Sequence, residues 1–338
     1  MFSYGLGDAG TGLAATQLGF YLFPFFTNQA GLPAFIAGSL LMVIKIWDAF
    51  NDPLIGWLSD HTQTKWGPRI PWMIGAALPL GISLAAMWWV PPGNTFQKTT
   101  YYVVMAILLM TAYTSVNLPY AALSTELSEK ISIRTRLNAA RFTGSILAGF
   151  TGLVVAAQLL SNGENGFIQM GRITGSLASI ATLCSCWGLA PFAKKARKPN
   201  TQSESLKLQL TRIIKNDYFL KIIALYLLLW CGLQLMQTVS LIYLEQVMNV
   251  PIAISKWIPV PFQMSALLGL QIWSFYSNKY GRISALWKGG ILWIIGCFLA
   301  MLLPSLSTES SINHLLSFNN LESFKMILLI STILIVGF

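Results

Sequence analysis

Charge is what this sequence has least of. Lys, Arg, Asp and Glu make up 10% of its 338 residues, where a soluble domain carries about 25%. Only twelve residues are acidic, 54% are hydrophobic and the mean hydropathy is +0.60, which excludes a water-soluble domain. Histidine is scarcer still. His61 and His314 are the only two, both between apolar blocks, and a zinc site is not expected. The four cysteines, Cys184, Cys186, Cys231 and Cys297, all fall inside apolar blocks, where Cys acts as a small hydrophobe, and their spacing is not that of metal ligands. The run GLGDAG from Gly5 to Gly10 fits G-x-G-x-x-G, but only four residues precede it, too few for the strand such a motif needs. Its first four letters resemble the aspartate motif of intramembrane proteases, yet the Tyr-Asp dipeptide those enzymes require is absent. No enzyme is expected. Gly5, Gly7, Gly10 and Gly12 read instead as places of close helix approach or a loosened helix beside a cavity.

Long apolar runs are abundant. Ten can be traced, at about 4–27, 34–59, 70–91, 99–124, 137–161, 171–192, 218–246, 253–276 and 285–304, with a tenth opening near 324 and still running at Phe338. Runs of about 20 residues match a bilayer, and a chain in hydrocarbon must satisfy its own backbone, so each is expected to be a spanning helix. The first run lacks a basic leader and is interrupted by Gly and Asp, so it is read as a helix and not as a cleaved signal. The tenth breaks off inside a hydrophobic segment, the expectation for a fragment.

The basic residues sort by loop. Sixteen fall after the second, fourth, sixth and eighth runs, from Lys65 and Arg69 to Lys288, whereas the opposite loops hold Lys98, Arg172 and Lys325. This positive-inside bias puts the N-terminus in the cytoplasm of a multi-pass protein of the cell (inner) membrane. The net charge of +10 is thus topology with some attraction to anionic lipid, and no nucleic-acid partner is implied. The one long polar linker, 193–217, separates six runs from those that follow. The expected plan is an all-α transporter fold: a six-helix half over 1–192, the linker, and an incomplete second half over 218–338 with about four helices. KWGPR (Lys65 to Arg69) and KYGR (Lys279 to Arg282) recur at the same place in each half.

Three carboxylates fall within the sixteen residues KIWDAFNDPLIGWLSD, Lys45 to Asp60. On a helix Asp48 and Asp52 are one turn apart with Asn51 between them and Lys45 a turn earlier. Each charge at bilayer depth costs roughly 2.5 to 3.5 kcal/mol, so these residues must face protein or water. Two carboxylates about 6 Å apart in a poor dielectric should share a proton or attract a cation. Asp48, Asp52 and the Asn51 amide supply oxygen for Na+, and Lys45 or Arg141 supplies a counter-charge when the cation leaves. A purely structural pairing with Lys45 or Arg141 is the alternative.

The stretches YGLGDAG, KIWDAFNDPLIGWLSD, WGPRIPW, YTSVNLPY and RTRLNAARFTGSILAG resemble the glycoside-pentoside-hexuronide:cation symporters, the melibiose permease group of the major facilitator superfamily. The resemblance is strong over the first half and weak over the second. It implies a cation site at Asp48, Asn51, Asp52 and Thr114, and a substrate site around Gly12, Tyr113, Asn117 and Arg141. It also implies a gate at the inner ends of the helices, formed by Gly56, Asp60, Gly67 and Arg69. At Gly12, Asn117 and Ala121 the galactoside carriers of that group have Asp, Asp and Trp. Two carboxylates that grip hydroxyls are therefore absent, which argues against a galactoside.

The function expected is cation-coupled symport, with Na+ or H+, of a sugar or other small organic solute by alternating access of a monomer, with no cofactor beyond the cation. Two alternatives are carried beside it: a lysolipid-type carrier, and a non-transporting sensor or inactive fragment. Lys256 is read as a snorkelling residue, with Glu245 as its partner.

Overall fold

Hydrocarbon leaves backbone polar groups no partner but one another, and the apolar runs accordingly coil into helices. The computed structural model describes residues 2–128, 130–160, 165–194, 215–248 and 252–306. The first run is a helix in pieces. Phe2–Gly5 (α1) passes through a 3-10 turn at Leu6–Asp8 into Ala9–Pro24 (α2), and a π-helical turn at Phe25–Gln29 follows. Gly5 and Gly7 lower helix propensity at the first break. Asp8 sits there at φ −97° and ψ 0°, and its carboxylate accepts a hydrogen bond from the Thr11 hydroxyl at 2.6 Å.

The next five runs are Ala34–His61 (α3), Ile70–Met87 (α4), Thr95–Leu127 (α5), Ile131–Leu160 (α6) and Gly166–Ala193 (α7). α5 starts at a reciprocal cap in which the Asn94 side chain and backbone exchange hydrogen bonds with Gln97, so a polar residue pair fixes its first turn. Then come Asp217–Ile242 (α8), a second π-helical turn at Tyr243–Val247, and Ile252–Ser255 (α9), Pro259–Tyr280 (α10) and Arg282–Leu306 (α11). Nine expected runs thus appear as helices, the eighth with a short preceding turn. The tenth run and most of the expected linker lie outside the described residues.

Two compact units result, Met1–Gly152 with Asn162–Val239, and Leu153–Ser161 with Ser240–Phe338. In the first, α4 packs against both α5 and α7, α3 lies on α5, and α2 lies on α7. Gly81 and Gly175 let α4 and α7 touch backbone to backbone: a Cβ on Gly81 would stand 2.4 Å from the Gly175 carbonyl oxygen. At one end of the unit Phe25 is wedged among Trp88, Tyr102 and Phe167, with ring centroids 5.0 to 6.1 Å away. At the other end Tyr4, Ile70, Met73, Tyr120, Leu123 and Leu189 form a buried cluster. In the second unit α10 packs on α11, the Tyr243 hydroxyl donates to the Ala300 carbonyl, and Lys256 donates to the carbonyl of Leu160, the last residue of α6. Glu245 accepts from Ser255 at 2.8 Å.

Among the described residues, seven helices are long and apolar enough to cross a membrane. Their outward faces carry large apolar side chains such as Trp187, Leu228 and Ile82, 86%, 73% and 68% exposed. A surface of that kind needs hydrocarbon around it. The chain is a multi-pass integral membrane protein.

Two local features recur along the sequence. Gly67 and Gly281 both take left-handed backbone, φ +86° and +89°, each shortly before an Arg that opens the next helix. Both π-helical turns also close the same way, with Ala30 N–H on the Phe25 carbonyl and Met248 N–H on the Tyr243 carbonyl.

Candidate functional site

Three contacts tie α3 to α5 in successive turns. Trp47 donates its indole N–H to the Thr111 hydroxyl at 3.0 Å. The Asn51 amide donates to the Met110 carbonyl at 3.4 Å. The Thr114 hydroxyl lies 3.0 Å from an oxygen of Asp52 and 3.4 Å from one of Asp48. A hydroxyl has one hydrogen, so it serves one carboxylate at a time, and its lone pairs point toward whatever the other attracts. Asn51 and Thr114 are buried, while Asp48 and Asp52 are half-buried. A hydroxyl and two carboxylates on two adjacent helices therefore converge, a set suited to a hard monovalent cation or a shared proton. Lys45 is exposed and makes no ion pair within 4 Å among the described residues, although its charge acts on Asp48.

On α5, one turn from Thr114, a second polar group begins. The Asn117 amide donates to the Tyr113 hydroxyl at 3.2 Å and its oxygen accepts from Arg141 Nη2 at 2.8 Å. Arg141 on α6 in turn donates Nε to Asp8 at 2.9 Å, with the guanidinium 5.6 Å above the Tyr120 ring. Asp8 is 5% exposed. Asp8 is not among the site residues expected from the sequence, where GLGDAG fits no motif that its position supports. The signal available was its depth: a carboxylate about five residues into an apolar run needs a cation, and Arg141 is the one at similar depth. Gly12, one turn further along, meets α6 at Ser145 and not at Arg141. A Cβ there would stand 2.3 Å from Ser145 Oγ, so Gly12 is a contact between helices in this structure, and Asp8 supplies the carboxylate near Arg141.

At the end of the first unit that carries the basic loops, Arg69 joins three helix ends. Its guanidinium meets Asp60 at 2.5 Å, Glu126 at 2.7 Å and Ser59 Oγ at 2.8 Å, and it is 5% exposed. Ser59 and Asp60 close α3, Arg69 caps α4 and Glu126 closes α5. Glu126 is a further partner that sequence reasoning did not name. Gly67 permits the loop between: a Cβ there would stand 2.9 Å from the Ala193 carbonyl oxygen. Gly56 has open space at its Cβ position and contributes its carbonyl to Ser59. Of the expected site residues, the structure thus groups Asp48, Asn51, Asp52 and Thr114; Tyr113, Asn117 and Arg141; and Asp60 with Arg69. It leaves Lys45, Gly12 and Gly56 outside these groups, with Gly67 in the loop that leads to Arg69.

Comparison with known proteins gives the geometry a context. Residues 3–337 match the family described as MFS/sugar transport protein. An uncharacterized symporter of Synechocystis is 39% identical over 222 residues, 63% of this chain and 40% of its own length. The isoprimeverose transporter of Lactiplantibacillus pentosus is 25% identical over 306 residues, 87% of this chain and 62% of its own length. The chain therefore spans about half the length of these relatives. A crystal structure of the nucleoside transporter NupG superimposes on the whole chain with a TM-score of 0.68 at 16% identity, covering 79% of NupG, which shows the same fold. The all-α fold is that of the major facilitator superfamily, and the chain belongs to its MFS/sugar transport family.

Proposed function

We propose that the protein is a secondary transporter that carries a small organic solute, a sugar in the first instance, in symport with Na+ or H+ by alternating access. The coupling ion acts as co-substrate at Asp48, Asn51, Asp52 and Thr114. The observation that carries the reading is the placing of one hydroxyl, Thr114, against both carboxylates. Two adjacent anions repel each other in a poor dielectric, and a bound cation relieves that repulsion. The relief favours whichever arrangement of α3 and α5 the cation holds.

α5 supplies the link to solute. Thr114 meets the carboxylate pair, and Asn117, bonded to the Tyr113 hydroxyl, meets Arg141, within one turn of the same helix. A cation that fixes Thr114 thereby fixes Asn117, and the two ligands assist each other by a reciprocal coupling of typically 1–3 kcal/mol. The loop-charge bias supports a cytoplasmic N-terminus in the cell membrane, with the Arg69 cluster on the cytoplasmic side as a latch.

The test is solute uptake in vesicles with Asp48→Asn and Asp52→Asn. Each variant should lose the stimulation by Na+ or by a proton gradient while remaining in the membrane. Cation dependence unchanged in both would overturn the assignment.

A further inference from the structure

The hairpin of α10 and α11 turns on a single residue. Gly281 joins the two helices in left-handed backbone, φ +89°; its N–H donates to the Ser277 carbonyl at 2.9 Å and its carbonyl accepts from Ala285 at 3.2 Å. Cations and rings alternate around this turn. The Lys279 ammonium lies 5.2 Å from the centroid of the Tyr280 ring, Tyr280 and Tyr276 stand with centroids 4.6 Å apart, and Lys288 of α11 reaches to 5.0 Å from the Tyr276 ring. The Tyr276 hydroxyl and Ser284 Oγ, 3.4 Å apart, tie the helices together at this end. Both lysines are exposed. Contact with a ring positions an ammonium without cancelling its charge, and no acid nearby cancels it. Among the described residues of the second unit Glu245 is the only carboxylate, and it is bonded to Ser255 ahead of α10, roughly 30 Å of helix from the turn. Where Gly67 makes the same kind of turn, the following Arg69 is neutralised by Asp60 and Glu126.

Large apolar side chains flank the two lysines. Phe275 lies one turn before Lys279 on α10, and Ile283 and Trp287 lie one turn apart on α11 with Lys288 next to them; all three are exposed. The geometry points to a site for an anionic phospholipid, with its phosphate on Lys279 and Lys288 and its acyl chains along Phe275, Ile283 and Trp287. The loop-charge bias puts this turn on the cytoplasmic side, so the lipid belongs to the inner leaflet. Two features select a lipid over a soluble anion. The ammonium groups stand at the rim of a surface that needs hydrocarbon, so the partner is charged at one end and apolar at the other. Lys and Tyr are also the side chains that keep an apolar stem in the bilayer and a polar head at the level of the headgroups. Net charge matters as much as the phosphate: in a zwitterionic lipid the headgroup cation offsets the attraction to lysine. A bound anionic headgroup thus supplies at Gly281 the negative charge that Asp60 and Glu126 supply beside Gly67.

The experiment uses the intact chain, reconstituted in bilayers of equal parts phosphatidylglycerol and phosphatidylcholine with matched acyl chains, then extracted in mild detergent for native mass spectrometry of the lipid retained. Phosphatidylglycerol should be retained over phosphatidylcholine by about tenfold or more, as two lysines at an anionic surface allow. Lys279→Gln with Lys288→Gln should bring the ratio close to parity. Lys65→Gln with Lys130→Gln removes the same charge from exposed positions in other loops and should leave the ratio as it is. Trp287→Gln should lower retention with both lysines in place, and excess glycerol phosphate, a headgroup without chains, should not displace the lipid. Equal retention of the two lipids by the wild-type protein overturns the proposal without any variant. So does a ratio unmoved by the loss of Lys279 and Lys288, or one that falls equally in both Gln pairs, since net charge alone would then set the preference. Retention unmoved by Trp287→Gln, or displacement by glycerol phosphate, would show a site for soluble anions in place of a lipid site.

Discussion

Asp8 shows how far single residues could be read. Asp48, Asn51 and Asp52 are conspicuous in the sequence because a carboxylate pair at i and i+4 lies in an apolar run, and helical periodicity alone puts them together. Thr114 is not legible that way, since nothing local distinguishes a Thr that meets carboxylates from one that bonds its own helix; the family resemblance singled it out. Asp8 and Glu126 were missed because their partners, Arg141 and Arg69, are 133 and 57 positions away, and pairing over such distances is a property of packing. Thr114→Val tests the residue scale. It keeps the shape and removes a hydroxyl that touches two charges. Hydrogen bonds to charged groups contribute roughly 1.5–3 kcal/mol, so cation affinity should fall by about tenfold or more in a titration of Na+-dependent solute binding. Retained affinity would show that Thr114 only packs.

At the scale of elements, the helices were legible from apolar run length, and their breaks were not. Glycines early in the first run suggested a loosened helix, and a 3-10 turn is present at Leu6–Asp8. The π-helical turns at Phe25–Gln29 and Tyr243–Val247 have no signature in composition, since one extra residue in a turn changes no hydropathy. Glycine positions separate into those that seat a neighbour and those that do not. A Cβ at Gly144 on α6 would stand 2.0 Å from the Gly5 carbonyl oxygen, whereas nothing lies within 4 Å of one at Gly75. Gly144→Ala should therefore push α6 off the first helix, at a cost of about 1–3 kcal/mol, and lower the melting temperature in detergent. Gly75→Ala should be neutral or stabilise by about 0.5–1 kcal/mol, and equal effects of the two would contradict the packing described.

For the whole molecule, loop charge and run length pointed to a multi-pass transporter fold. The division into compact units along Met1–Gly152 with Asn162–Val239 and Leu153–Ser161 with Ser240–Phe338 was not legible, because it depends on which side of a helix meets which neighbour. The Arg69 cluster acts at this scale, since one guanidinium holds the ends of α3, α4 and α5. Arg69→Ala leaves Glu126, 7% exposed in its side chain, without its cation, and removing one partner of a buried pair costs about 3–5 kcal/mol. Hydrogen exchange should rise at all three helix ends together, with transport reduced and Na+ binding retained. Faster exchange in only one of the three would show that the cluster does not act as a unit.

α5 carries Pro119 in its interior, which gives the Ser115 carbonyl no N–H to accept, and Thr114 and Asn117 both precede it. Both polar groups therefore sit on one helical stretch, and on the proposed symport reading the spacing between cation and solute is set by the pitch of that stretch. An alanine inserted after Val116 would turn Asn117 away by about 100° and shift it about 1.5 Å along the axis, with Thr114 left in place. Such a protein should still bind Na+ and let ions slip across without solute, a leak measurable as current in the absence of sugar.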